Sequence, residues 1–306
     1  MKLIVVTFAG RKRYMEILFK YILKNKKFIN EYHLYLATTN TEDVRYIYEF
    51  QKENSDFVKV IALESYDNFN KAEVWNLSYK NCLDEDTIYL KIDDDVVFVD
   101  DNLFTEFIDF RKNSDSPIVF PHIINNIIST PLLEKNNKIK TGMLNNQFVI
   151  NTWSKTIERI KPQIENLKLN FNSREFTVTS LLSQNEILCP IAWGSLEYSK
   201  ISHLLFLEII KSTVISSIYT ENINLMEFQP ISIQCCSWLG KDLKKYTEMF
   251  GDVGSEDEPW ISVYLPVWAG KPNVIFGKSV VSHFSSYNQD DYLISCGILE
   301  EYKKNI

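Results

Sequence analysis

The stretch YLKIDDDVVFVDD (Tyr89–Asp101) reads as a buried strand that runs into three adjacent acids and then turns apolar again. Carboxylates repel one another and are costly to place beside a core, so Asp93-Asp94-Asp95 calls for a compensating cation or for hydrogen-bond donors. A hard divalent ion with oxygen ligands, held jointly by Asp93-x-Asp95 and a diphosphate, is one answer. The other is a solvated acidic turn after a strand. Val96–Val99 is apolar, which argues against an ordinary surface turn.

Working outward, Lys2–Phe8 is a β-branched, apolar run ending at Ala9-Gly10, and it predicts a first strand. Tyr14, Ile17, Leu18, Tyr21 and Ile22 share one face of a following helix. Tyr32–Thr38 predicts a second strand, Thr41 the cap of a helix running to about Glu53, and Val58–Leu63 a third strand. A helix over Lys71–Cys82 precedes the fourth strand, Thr87–Ile92. Strands alternating with helices imply a parallel sheet covered on both faces, with ligands bound outside the carboxyl ends of the strands. Gly10-Arg11 and Asp93–Asp95 both fall at such ends and can line one crevice.

Pro117–Ile124 predicts another strand, after which the pattern loosens. Residues 125–195 are rich in Asn, Ser and Lys and read as loops and short elements over the sheet. Tyr198 to about Ile215 reads as a helix, Ile231–Cys235 as a strand and Gly251–Ser255 as a tight loop. A helix then starts at Glu256, where acids and Pro259 suit a first turn. Without internal repeats or linker-like composition, one domain over residues 1–306 is expected.

The chain has 306 residues, 45% of them hydrophobic, enough for a large core. A net charge of −7 argues against a general nucleic-acid binder. The five cysteines include no C-x-x-C pair, which disfavours a disulfide framework or zinc knuckle and suits reduced thiols in the cytoplasm. No apolar run approaches the length of a membrane span or a signal peptide, leaving peripheral attachment to the inner face of a membrane open.

A strand ending in D-x-D after three strand–helix units resembles the glycosyltransferases of the GT-A fold. The resemblance implies an α/β, Rossmann-like fold with a mixed, mostly parallel sheet flanked by helices. It also implies a nucleotide-diphosphate sugar as donor, UDP-linked by preference, and Mn²⁺ or Mg²⁺ as cofactor. On that pattern Asp93 contacts the ribose or the metal and Asp95 ligates the metal. Asp94 is grouped with the nucleotide-sugar residues without an individual role. GDVGSEDEPWIS (Gly251–Ser262) resembles the acidic helix start that supplies the catalytic base in inverting members. Asp257 is the candidate and Glu258 a close alternative; a carboxylate there would take the acceptor's proton. The plain reading of the same acids is that they complement the helix dipole. VVSHFSSY (Val280–Tyr287) offers His283 as a further metal ligand, or as a histidine hydrogen-bonded at a strand end. His33, His122 and His203 read as structural.

TFAGRKRY (Thr7–Tyr14) resembles the loop that touches nucleoside and phosphates, making Thr7, Ala9, Arg11 and Arg13 candidates. NFNKAEVWN (Asn68–Asn76) resembles the segment closing over the nucleotide, with Lys71 reaching a phosphate or base. CSWLGKD (Cys236–Asp242) resembles an acceptor-side loop, placing Trp238 and Gly240 at a saccharide or lipid-linked saccharide. Residues 1–124 then form the nucleotide-sugar half and 125–306 the acceptor half, in surface polysaccharide or glycoconjugate synthesis.

Rival readings use the same residues. A haloacid dehalogenase-like, Mg²⁺-dependent phosphohydrolase also carries a strand ending in D-x-D and a late G-D…D acid motif, which GDVGSED (Gly251–Asp257) resembles. Its nucleophile strand normally opens the core domain, however, whereas three strand–helix units come first here. A sugar-nucleotide-forming nucleotidyltransferase needs a glycine-rich first loop, which TFAGRKRY lacks. A non-catalytic nucleotide- or sugar-binding module would not need the full set of acids.

Overall fold

A computed structural model describes residues 1–62, 78–143, 195–212, 214–225, 231–247, 257–286 and 289–305. The first half follows the local pattern. Strand β1 (Lys2–Ala9) leads through Gly10 into helix α1 (Lys12–Lys24), which buries Tyr14, Ile17, Leu18, Tyr21 and Ile22 as its spacing requires. Strand β2 (Glu31–Leu36), helix α2 (Thr41–Glu53), strand β3 (Val58–Ala62) and strand β4 (Thr87–Ile92) follow. The cap of α2 is Asn40 rather than Thr41: its side chain accepts from the backbone N–H groups of Glu42 and Asp43. The expected helix over Lys71–Cys82 lies largely outside the described residues.

Beyond β4 the alternation stops. Strand β5 (Val96–Val99) comes immediately after the acids, followed by helix α3 (Glu106–Asn113), strand β6 (Val119–Ile124) and helix α4 (Ser129–Lys135). Helix α5 (Leu196–Lys211), strand β7 (Ile223–Asn224), strand β8 (Cys235–Leu239) and helix α6 (Gly240–Lys244) come next. The segment α7 is helical over Asp257–Pro259, π-wound over Trp260–Tyr264 and helical again over Leu265–Ala269. Strand β9 (Val274–His283) and helices α8 (Asp290–Ser295) and α9 (Ile298–Lys304) complete the described chain.

Among the described residues the strands form one sheet in the order β3-β2-β1-β4-β8-β6-β9-β5, with β7 also on β9. Strands β3, β2, β1 and β4 pair in parallel, as do β6 and β9, whereas β8 is antiparallel to both of its neighbours, β4 and β6. β5 and β7 are antiparallel to β9. The result is the Rossmann-like, mixed but mostly parallel sheet flanked by helices that was expected. The core runs continuously along it from Leu3–Phe8 to Ile275–Val281. No described helix is long and apolar enough to cross a membrane.

The direction of β8 corrects the reading of Ile231–Cys235 as a strand. The strand begins at Cys235, paired with Ile92, and ends at Leu239, paired with Ile88. Residues 231–234 therefore lie at the carboxyl end of β4, and Gly240 lies at its amino end.

Candidate active site

The acids Asp93, Asp94 and Asp95 sit where β4 ends, beside the turn that leaves β1. Each meets a cation supplied by the protein. Asp93, just past the end of β4, pairs with Lys91 two residues back in that strand. Asp94 accepts from the Gly10 backbone N–H at 2.9 Å and from Arg11 Nε at 3.0 Å, with a further contact to Arg11 Nη2. Asp95 Oδ2 faces Arg11 Nη2 at 3.0 Å and His283 Nε2 at 3.2 Å. The charge that seemed to need an outside cation is thus balanced by residues from three separate segments.

Gly10 permits the close turn. A Cβ there would lie 2.8 Å from the carbonyl oxygen of Ala37, so only glycine lets the β1–α1 turn pack against the end of β2. That packing points the Gly10 N–H at Asp94.

Burial acts on each acid and the neighbours decide the outcome. Burial pushes Asp94 up to about 6 against the opposing pull of Arg11. Burial would also raise Asp95, but His283 and Arg11 hold it well below the usual carboxylate range. Asp93 is raised by burial, with Lys91 working against the rise. His283 is disfavoured as a cation by burial, yet Asp95 beside it raises its affinity for a proton.

A divalent ion needs several oxygen or nitrogen donors that converge on one point. Among the described residues no group of three acids, cysteines or histidines converges as a metal cage. Asp95 Oδ2 and His283 Nε2 nevertheless face each other across 3.2 Å. Ligands about 2.1 Å from a shared ion and at right angles would be about 3.0 Å apart. Among the described residues, Asp95 Oδ1 and His283 Nδ1 are also buried without a hydrogen-bond partner. Two protein ligands suit an ion whose remaining positions belong to phosphate oxygens and water, as is usual for Mg²⁺. The pair fits such an ion once His283 has lost its proton. Asp93 is paired with Lys91.

A second carboxylate group approaches from α7. Asp257 Oδ2 accepts a hydrogen bond of 3.0 Å from the hydroxyl of Tyr79, a residue 1% exposed. Burial and the neighbouring Asp257 push Glu258 up to about 7. Burial also raises Asp257, while Lys91 and Tyr79 draw it down. Glu258 lies in the turn before the π-wound segment, and its carbonyl accepts from Ser262 Oγ at 2.7 Å. Lys91, paired with Asp93, also donates to the Ile233 carbonyl at 2.8 Å.

The other sequence-predicted residues fall into different places. Thr7 is fully buried; its hydroxyl donates to the Ile92 carbonyl at 2.8 Å and accepts from Tyr32 at 3.0 Å, stapling β1 to β4 and β2. The Ala9 carbonyl is taken by the Ala37 N–H at 2.8 Å. Arg13 pairs with Asp290 of α8, which also holds Tyr14 and Ser285. Lys71 lies outside the described residues, as do Glu256 and the Gly251–Ser255 loop. Trp238, expected against an acceptor sugar, is a core residue: it stacks on Tyr89 at 5.8 Å, packs on Tyr79 and donates to the Cys82 carbonyl at 3.2 Å. Gly240 is not at the crevice either. A Cβ there would lie 2.1 Å from the Asp84 carbonyl oxygen, so its smallness serves backbone packing at the far end of the sheet.

Sequence reasoning missed Lys91, Tyr79 and residues 232–234. The signal for Lys91 was present, as a lone charge inside TIYLKI at strand spacing from Asp93. Residues 232–234 reach the site through β8, whose direction no local pattern reveals; the Gln234 carbonyl accepts from the Asp93 N–H at 2.8 Å.

No family model matches the chain, and no curated protein matches it. Solved structures similar to it include S. aureus TarS 1–349, at 16% identity over 68% of this chain and 56% of that one, with a TM-score of 0.33. The same TarS fragment in complex with UDP matches at 18% identity, 68% and 55% coverage and a TM-score of 0.31. In complex with UDP-GlcNAc it matches at 19% identity, 40% and 34% coverage and a TM-score of 0.31. The chain thus spans about a third to just over half of the length of those structures.

Proposed function

We propose that this chain is a GT-A-type glycosyltransferase that moves a sugar from a nucleotide-diphosphate donor, UDP-linked by preference, to a hydroxyl acceptor with inversion. One observation carries the reading: at the carboxyl end of β4 a buried acid cluster is lined by Arg11, His283 and Lys91, and a separate carboxylate pair, with Asp257 held by the Tyr79 hydroxyl, opens α7. Phosphate recognition and proton removal are the two tasks of such a transfer.

Arg11, half-exposed above Asp94 and Asp95, presents its guanidinium to the diphosphate. Asp95 and His283 would hold Mn²⁺ or Mg²⁺, which supplies charge neutralisation at the leaving diphosphate. Asp257, or Glu258 beside it, accepts the proton of the acceptor hydroxyl. The acceptor oxygen bonds to the anomeric carbon as the bond from that carbon to the diphosphate oxygen breaks, and the diphosphate departs with the electron pair. A saccharide or lipid-linked saccharide acceptor in surface polysaccharide or glycoconjugate synthesis completes the proposal, at the inner face of the membrane if the acceptor is lipid-linked.

Calorimetry of UDP binding with and without Mn²⁺ tests it. Wild type should bind UDP more tightly with the ion, and Asp95→Asn should lose that increment. Equal affinity of wild type in both conditions would refute the ion's role, and no UDP affinity in either would refute the transferase reading.

A further inference from the structure

Residues 232–234 lead into β8 at the carboxyl ends of its two sheet neighbours, β4 and β6. The Gln234 carbonyl accepts from the Asp93 N–H at 2.8 Å, which sets Gln234 beside the acid cluster. On its other side is Asn126, buried just past the end of β6. Both ends of the Asn126 amide are fully used. Its Oδ1 accepts from the backbone N–H groups of Ile128 and Ser129, each at 2.9 Å. Its Nδ2 donates to the Ser232 carbonyl at 3.1 Å and to Gln234 Oε1 at 2.7 Å. Two N–H groups can meet only an acceptor, so the Asn126 oxygen is fixed toward the start of α4 and its nitrogen toward Gln234. That nitrogen can in turn meet only an acceptor, so the Gln234 amide turns its oxygen to Asn126 and its nitrogen away. Asn125 secures the other flank: held at φ 61°, it donates through Nδ2 at 3.0 Å to the carbonyl of Phe284, the residue after His283. The two asparagines thus tie the His283 side of the crevice to the Asp93 side.

Gln234 is 7% exposed, and among the described residues nothing accepts from its Nε2. An amide so nearly buried, with its oxygen committed and its nitrogen open, is a fixed donor without an acceptor. We infer that Gln234 is a specificity-determining residue whose Nε2 donates to an oxygen of the sugar carried by the donor nucleotide. The inference rests on the transferase reading, which puts the diphosphate at Arg11 and Asp95 and leaves the sugar, the next group along, to Gln234 beside Asp93. An uncharged N–H suits a sugar hydroxyl or an acetamido carbonyl. A fixed donor also discriminates against a sugar without an oxygen at that place, because it is then left unpaired.

Gln234→Glu separates the two ends of the amide. Its carboxylate can still accept from Asn126, while its second oxygen has no proton to give at about pH 8, well above the ordinary glutamate range. Calorimetry on the full chain with Mn²⁺ compares UDP with UDP-GlcNAc, UDP-glucose and UDP-galactose. In Gln234→Glu, UDP affinity should stay within about threefold of wild type, while the sugar nucleotide that wild type binds best should bind about tenfold more weakly or worse. Should the buried carboxylate prevent folding, Gln234→Met, uncharged and similar in size, removes the same donor and should show the same split. Equal weakening of UDP and of the sugar nucleotide would overturn the inference, because Gln234 would then act through Asp93. Unchanged sugar-nucleotide affinity would overturn it too, as would a wild type that binds UDP and none of the three sugar nucleotides. A wild type without UDP affinity would sink the transferase reading and the inference with it; the other outcomes sink the inference alone.

Discussion

Tyr79→Phe removes one hydroxyl and little else. The ring packs on Trp238 at 5.4 Å and on Phe8 at 6.1 Å, and those contacts survive. What is lost is the 3.0 Å hydrogen bond to Asp257 Oδ2. A hydrogen bond to a charged group contributes about 1.5–3 kcal/mol. Because the ionised carboxylate is the form that accepts it, removing it favours protonation, by about 1–2 pKa units at 1.36 kcal/mol each. A base must be ionised to act, so the acid limb of the transfer rate should move to higher pH by that amount. Below the limb the variant should be about 10–100-fold slower, and on the alkaline plateau it should match wild type. The assay is UDP release from a UDP-sugar between about pH 5 and 9, with UDP affinity measured in parallel. An unmoved acid limb would refute the reasoning. A uniform loss at every pH with weakened UDP binding would show instead that the hydroxyl shapes the donor site.

Gly240→Ala forces a Cβ to within 2.1 Å of a backbone oxygen that cannot turn away, so the protein should lose about 3 kcal/mol or more in denaturant unfolding. Arg13→Ala breaks a half-exposed pair with Asp290, and calorimetry should find UDP affinity within about threefold of wild type, roughly the effect of a rim ion pair. Burial holds His203 down at about 4 and His122 at about 3, both below their unfolded value. Their contribution is complete above about pH 6.5 and is lost as pH falls towards those values. For His203 alone the loss is roughly 3 kcal/mol, and unfolding curves of His203→Gln should be flatter across that window.

The parallel half was legible because its signals are local. Alternating apolar runs and one amphipathic helix face specify β1, α1, β2, α2, β3 and β4 within a few residues each, and the parallel pairing of β1 with β4 brings Arg11 to the acids. Asp257, Glu258 and His283 stood out by their resemblance to glycosyltransferase segments rather than by those local signals. Neither kind of reading could say which acid each cation would meet, because Lys91, Arg11 and His283 come from a strand, a turn and the end of a distant strand.

Read alone, the chain determined an acid cluster closing a buried strand, a basic turn at a neighbouring strand's end and a later pair of acids at a helix start. Only the tertiary structure decided that β8 runs antiparallel between β4 and β6, which carries Trp238 into the core and Gly240 to the far edge, and brings residues 233–234 against Lys91 and Asp93. The physical reason is that a strand's side-chain alternation is the same in either direction, while its hydrogen-bonded partners, and with them its direction, are chosen by packing across the whole sheet.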